Sequence, residues 1–241
     1  MMITPVVSMI IYGYYGSDYI FYTMLMLVLF VIGIGIQASV KNTFKKYSQN
    51  RASCHLSAHD VASRLLYSGG SNASIDITPG NLTDHYNPKT NVVSLSESVY
   101  YSDSVSALAV AAHEIGHVMQ HQDGYIPIKL RNAILPVAQI GSGIAPYLVM
   151  LGLIFGTPTL AMAGVYLFSA VFAFQLITLP VEFNASRRAL VMLEGGGYVS
   201  GDERKMAKKV LSAAAATYVI ATLTSLLSLL RLISITNGRR R

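Results

Sequence analysis

Apolar residues run almost without interruption through four stretches of the chain, Tyr19 to Ile36, Ala133 to Phe155, Leu160 to Leu179 and Val210 to Leu230. None of the four contains Asp, Glu, Lys or Arg. A helix rises about 1.5 Å per residue, so crossing the ~30 Å hydrocarbon layer of a bilayer takes about 20 residues. The pattern predicts four transmembrane helices. The second stretch includes Pro136, Gln139, Ser142 and Pro146, which a bilayer tolerates where neighbouring helices satisfy the freed backbone groups.

Between the first and second stretches the pattern changes. Ser57 precedes a helical period over Ala58 to Tyr67, and Gly69-Gly70 ends it. Ala73 to Ile77 is strand-like, Thr78 to Asn81 is a turn, Leu82 to Tyr86 is extended, Asn87 to Asn91 turns again and Val92 to Ser96 returns as a strand. That last strand alternates as an exposed edge would, so Val93 is expected to offer its backbone to an extended peptide. A short helical stretch, Glu97 to Tyr101, leads into a longer helix. Ser102 and Asp103 are capping types, residues 104–112 are small and mostly apolar, and Asp123-Gly124 is a stop. Residues 37–132 therefore read as a small α+β domain able to stand in water, while the chain as a whole is mainly α.

The longer helix contains His113-Glu114-Ile115-Gly116-His117. Residues four apart lie about 40° from each other around a helix, so both imidazoles face one ion. Glu114 is rotated by about 100° and remains free to take a proton from water. This is the arrangement of a zinc hydrolase. Gly116 costs the helix about 1 kcal/mol relative to Ala, which implies that something packs closely there or that the site needs the space.

Two imidazoles leave a zinc site one protein ligand short. His121 continues the ladder, but a third ligand one turn further along a straight helix is displaced by roughly 6 Å and does not converge. A carboxylate from another helix is the usual alternative, and Asp123, Glu182, Glu194, Asp202 and Glu203 are candidates. Glu182 stands out because it sits at the end of the third apolar stretch, where a carboxylate needs a partner; pairing with Arg187 or Arg188 is the competing role. An oxyanion donor is expected from His85 or Tyr86, just before the second turn, with packing as the alternative use of both.

Composition agrees with this picture and adds an orientation. Hydrophobic residues make up 52% of the chain and charged ones only 12%, and the charges are bunched beside the apolar stretches. Lys41, Lys45, Lys46 and Arg51 follow the first stretch, while Lys129 and Arg131 precede the second. The positive-inside rule then puts the intervening loop in the cytoplasm and the amino terminus outside. Arg187, Arg188, Arg204, Lys205, Lys208 and Lys209 return to the cytoplasm. A complete fourth crossing leaves Arg231 and Arg239 to Arg241 outside, against the rule, so that segment is expected to re-enter or to carry an exceptional tail. No basic region precedes the first stretch, which is expected to stay as an anchor. The net charge of +6 is accounted for by juxtamembrane clusters beside anionic lipid, without nucleic acid. A single cysteine, Cys54, rules out an internal disulfide and a thiolate zinc site.

Four segments taken together, Asp84-His-Tyr-Asn-Pro, Leu95-Ser-Glu-Ser-Val-Tyr, Ala111-Ala-His-Glu-Ile-Gly-His-Val-Met-Gln-His and Pro180-Val-Glu-Phe-Asn-Ala-Ser-Arg-Arg-Ala, resemble the YugP-like family of prokaryotic membrane zinc metallopeptidases. Lys45-Lys-Tyr-Ser is similar to that family's segment after its first span, and the likeness runs from about Phe44 to Leu193. The resemblance implies a zincin-type domain, Zn²⁺ held by His113, His117 and Glu182, and Glu114 as general base. Asn184 stands where some members carry Asp. The resemblance also implies a multi-pass protein of the prokaryotic plasma membrane, with a protein or peptide substrate and the lipid bilayer as its partners. On this reading residues 1–36 form the first segment and span, 37–132 the zincin-like domain, and 133–181 the second and third spans. Residues 182–209 form a helix with the third ligand, and 210–241 the fourth apolar helix and basic tail. The expected function is hydrolysis of peptide bonds in unfolded or membrane-associated segments; a catalytically silent zinc scaffold or partner-binding protein is the alternative, and a transporter a third.

Overall fold

A computed structural model describes residues 17–238. The expectations for the amino terminus and for the tail from Arg239 to Arg241 lie outside the described residues. In chain order the elements are α1 (Ser17–Tyr47), α2 (Ala58–Ser68), β1 (Ser74–Thr78), β2 (His85–Asn87), β3 (Val92–Ser96), α3 (Glu97–Tyr100), α4 (Val105–Gln122), α5 (Ile126–Ile154), α6 (Pro158–Gly195) and α7 (Gly201–Gly238). Helices α1, α5, α6 and α7 are each long and apolar enough to cross a membrane. They outrun the charge-free stretches: α1 continues through Lys41, Lys45 and Lys46, because a helix's own hydrogen bonds do not depend on leaving the apolar layer. Helix α7 is continuous over its printed length, so the turn that a re-entrant segment requires is absent among the described residues.

The chain divides into two compact units. One comprises residues 17–34, 130–177 and 219–238. Within it, α5 and α6 approach closely through small residues: a Cβ on Gly164 would stand 2.7 Å from the carbonyl oxygen of Ala145. Such contacts replace the hydrophobic effect, which lipid-facing helices lack. Val149, Val165, Phe168, Val171 and Leu229 fill the interior, while Phe21, Phe30, Ile140 and Tyr166 remain exposed as lipid-facing residues would.

The other unit comprises residues 35–129 and 178–218. Helix α2 starts where the Ser57 side chain accepts the Asp60 N–H, and buries Val61, Ala62, Leu65 and Leu66 at the three- and four-residue spacing of one face. Helix α4 starts in the same way, with Ser104 accepting the Ala107 N–H, and its Val105, Leu108, Ala112 and Ile115 are fully buried in the shared core. Gly124, at φ +66°, takes the left-handed conformation that ends the helix.

The sheet corrects one expectation. Its strand order is β1-β3-β2, with β1 parallel to β3 and β2 antiparallel to it. β3 is thus the central strand, and Val93 and Leu95 are fully buried. At Val93 the strand is flanked on both sides, by Ile75 of β1 and Tyr86 of β2, so no free edge is left there for a peptide. Alternation along a strand reports which face is buried and says nothing of which strand is at the edge.

Candidate metal centre

Helix α4 carries His113, Glu114 and His117 in the core of the second unit. The two imidazoles sit one turn apart with ring centroids 4.8 Å from each other. Glu182 arrives from α6, where a close crossing admits it: a Cβ on Gly116 would lie 2.7 Å from the Ala185 carbonyl oxygen. Gly116 therefore lets the two backbones approach.

Glu182 Oε2 lies 3.3 Å from His113 Nε2 and 3.6 Å from His117 Nε2. Ligand atoms of all three residues fall within 4.8 Å of one another. Two ligands held tetrahedrally at ~2.1 Å from a zinc ion are roughly 3.4 Å apart, so the donor set and its spacing fit one such ion. Glu182 is only 2% exposed, and a carboxylate at that depth calls for a cationic partner. Arg188 does not supply it, being engaged by Asp123 and by Asn184 Oδ1.

The outward nitrogens of both rings are held. His113 Nδ1 lies 3.2 Å from Ser186 Oγ, and His117 Nδ1 lies 3.0 Å from Gln120 Oε1. Gln120 has its amide nitrogen committed, donating to the Val181 carbonyl at 2.8 Å and to Asn184 Oδ1 at 2.9 Å. Its oxygen is left to face His117, so the proton of that ring belongs on Nδ1 and the lone pair on Nε2. Asn184 is oriented in turn by Arg188 Nε, which donates to its Oδ1 at 2.9 Å. A chain of bonds from Asp123 through Arg188, Asn184 and Gln120 thus sets the tautomer of His117. Burial disfavours a charged His117, but the Glu182 hydrogen bond and the charges of Glu114 and Glu182 outweigh it and raise its pKa. The same negative field attracts a divalent cation.

The profile of a family described as "Putative neutral zinc metallopeptidase" matches residues 22–237. The chain belongs to that family. It is also 46% identical over 222 residues to a Bacillus subtilis (strain 168) protein named "Putative membrane protease YugP", covering 90% of this chain and 99% of that one. No solved structure matches.

In this family member a cavity of about 200 Å³ opens beside two of the three candidate ligands, lined in part by His113, Glu114, Glu182 and Ser186. The two residues expected as oxyanion donors do not line it. His85 is exposed with Nδ1 2.9 Å from the Thr83 carbonyl oxygen, and the Tyr86 hydroxyl donates to Asn91 Oδ1 at 2.9 Å. Local turn geometry takes both, because each has a partner within five residues. Asp84, which motif reasoning passed over, lines the cavity instead. The Ser96 backbone N–H and hydroxyl donate to its carboxylate, the N–H at 2.7 Å, tying the start of β2 to the end of the central strand. Burial raises its pKa against those bonds, with the Glu114 charge assisting. His121 is not among the converging residues; its ring packs edge-on against Tyr86 at 6.1 Å. Ser186 and Gln120 were legible only as positions three or four residues from a ligand on the same helix.

Proposed function

We propose that this chain is an integral-membrane zinc endopeptidase of the HExxH, zincin type, acting on unfolded or membrane-associated protein segments from the cytoplasmic side. The observation that carries the reading is the convergence of His113, His117 and Glu182 at zinc-ligand spacing, with Glu114 lining the same cavity. These residues would hold Zn²⁺ through two imidazole nitrogens and one carboxylate oxygen, the set of the His₂Glu hydrolases. When bound, zinc supplies Lewis acidity toward water and toward a carbonyl oxygen.

The remaining steps belong to the protein. Glu114 follows His113 directly and points away from the line joining the two imidazoles, so it is free to act as base. It removes a proton from the attacking water as the new C–O bond forms, then delivers that proton to the amide nitrogen as the C–N bond breaks. Ser186 and Gln120 keep the imidazoles from rotating. The cytoplasmic assignment rests on the basic residues flanking residues 37–132.

The test is a pair of variants of the full-length protein in detergent. Glu114→Gln keeps zinc and fold and loses proteolysis of an unfolded substrate by about 10² to 10⁴. His113→Ala loses both zinc and activity. Near-wild-type cleavage by zinc-replete Glu114→Gln would end the peptidase reading. A wild-type protein that holds zinc and cleaves no unfolded or membrane-protein substrate would favour the scaffold.

A further inference from the structure

The cavity beside the metal centre has walls whose chemistry the proposed reaction does not use. Apart from the polar residues of the site and Asp84, its lining comprises Val40 and Phe44 of α1, Leu82, Val110 of α4, and Val210, Leu211, Ala214, Ala215 and Tyr218 of α7. All of these belong to the same compact unit as the metal centre. Two of the helices, α1 and α7, are ones long and apolar enough to cross a membrane.

Size decides what fits. Drug-sized ligands occupy about 300 to 1,000 Å³, while an apolar cavity of ~150 Å³ holds one benzene. About 200 Å³ is therefore room for one side chain of leucine or phenylalanine size. Because the cavity shares His113, Glu114 and Glu182 with the metal centre, its occupant is attached within a bond or two of the reacting carbonyl. Asp84 is the residue that would select a basic side chain instead. Its carboxylate already accepts through both oxygens from Ser96, and Glu114 and Glu182 are committed to the proton transfer and to the ion, so the wall left for a side chain is mainly apolar.

We infer that this cavity is a specificity pocket for one large apolar side chain, branched aliphatic or phenyl, flanking the scissile peptide bond. The inference rests on the zinc peptidase reading and names the substrate class of that site. Substrates are then segments that carry Leu, Ile, Met or Phe next to the cut.

Binding of acylated amino-acid hydroxamates to zinc-loaded, full-length Glu114→Gln protein in detergent tests it without turnover. The leucyl and phenylalanyl compounds bind at least about 30-fold tighter than the glycyl one, as burial of a leucine-sized side chain predicts. Ala214→Phe fills the pocket and brings that ratio close to one with zinc content unchanged. Phe44→Ala, on a different helix, enlarges the pocket and shifts the preference toward a naphthyl side chain, so the proposal survives a folding failure of either variant. Equal affinity for the glycyl and leucyl compounds would overturn it. So would tightest binding of a lysyl compound, or an unchanged ratio in zinc-replete Ala214→Phe. Loss of all hydroxamate binding, the glycyl compound included, would instead remove the zinc site reading and the pocket with it.

Discussion

At the scale of single residues, the outer bonds of the metal centre divide the work between holding an ion and aiming its ligands. Of the other carboxylates that spacing left open, Asp123 is paired with Arg188 and Glu194 with Arg204 at 2.7 Å on an exposed surface, so Glu182 is the one that converges on the two imidazoles. Zinc measured by metal analysis and competitive chelation separates these roles. Glu182→Ala loses stoichiometric zinc, whereas Glu194→Ala retains it. Gln120→Leu removes the acceptor that keeps the His117 proton on Nδ1 and lowers zinc affinity about 10- to 100-fold, the usual size of such a second contact. Full affinity in Gln120→Leu would show that His117 needs no orienting partner.

At the scale of elements, the crossing of α4 and α6 is what brings a carboxylate to a helix bearing two histidines and makes a candidate three-ligand site. Gly116 stands at that crossing, and two opposing effects meet there. Alanine improves helix propensity by about 1 kcal/mol, but its Cβ would stand 2.7 Å from a backbone oxygen that cannot swing aside. Overpacking of this kind costs ~1–3 kcal/mol, so the clash wins. Gly116→Ala is expected to lower the thermal midpoint and to weaken zinc binding, because separating the helices carries Glu182 away from His113. An equal or higher midpoint with full zinc would mean that the helices do not approach so closely. The strand β3 gives a second case: its central place in the sheet removes the exposed edge that its alternation suggests.

At the scale of the whole molecule, the described residues include four helices long and apolar enough to cross a membrane, and a relative 46% identical is named a putative membrane protease. The proposed cytoplasmic placement of the candidate site rests on charge. In a Cys54→Ser background, cysteine introduced at the exposed turn residue Thr90 is expected to resist an impermeant maleimide in intact cells and to react after permeabilisation. Labelling in intact cells would reverse the orientation. The continuous α7 makes a full fourth crossing geometrically available, so the same measurement with cysteine at Asn237 reports the side of its far end.

Much of this protein is decided by contiguous residues. The four apolar stretches, the cap at Ser104, the stop at Gly124 and the shared face of His113 and His117 are properties of neighbours in sequence, because hydropathy, capping and helical period act over one or a few turns. The four-segment resemblance singled out Glu182 as well, although spacing alone left five carboxylates open. Tertiary structure decided the rest. Glu182 meets His113 across 69 residues of chain, Gln120 reaches Asn184 across 64, and Asp84 turns toward the metal-centre cavity while His85 and Tyr86 are held by their own turn. Those pairings depend on how closely two helices approach and on which strand takes the middle of a sheet, and long-range packing of this kind leaves no period in the sequence to read.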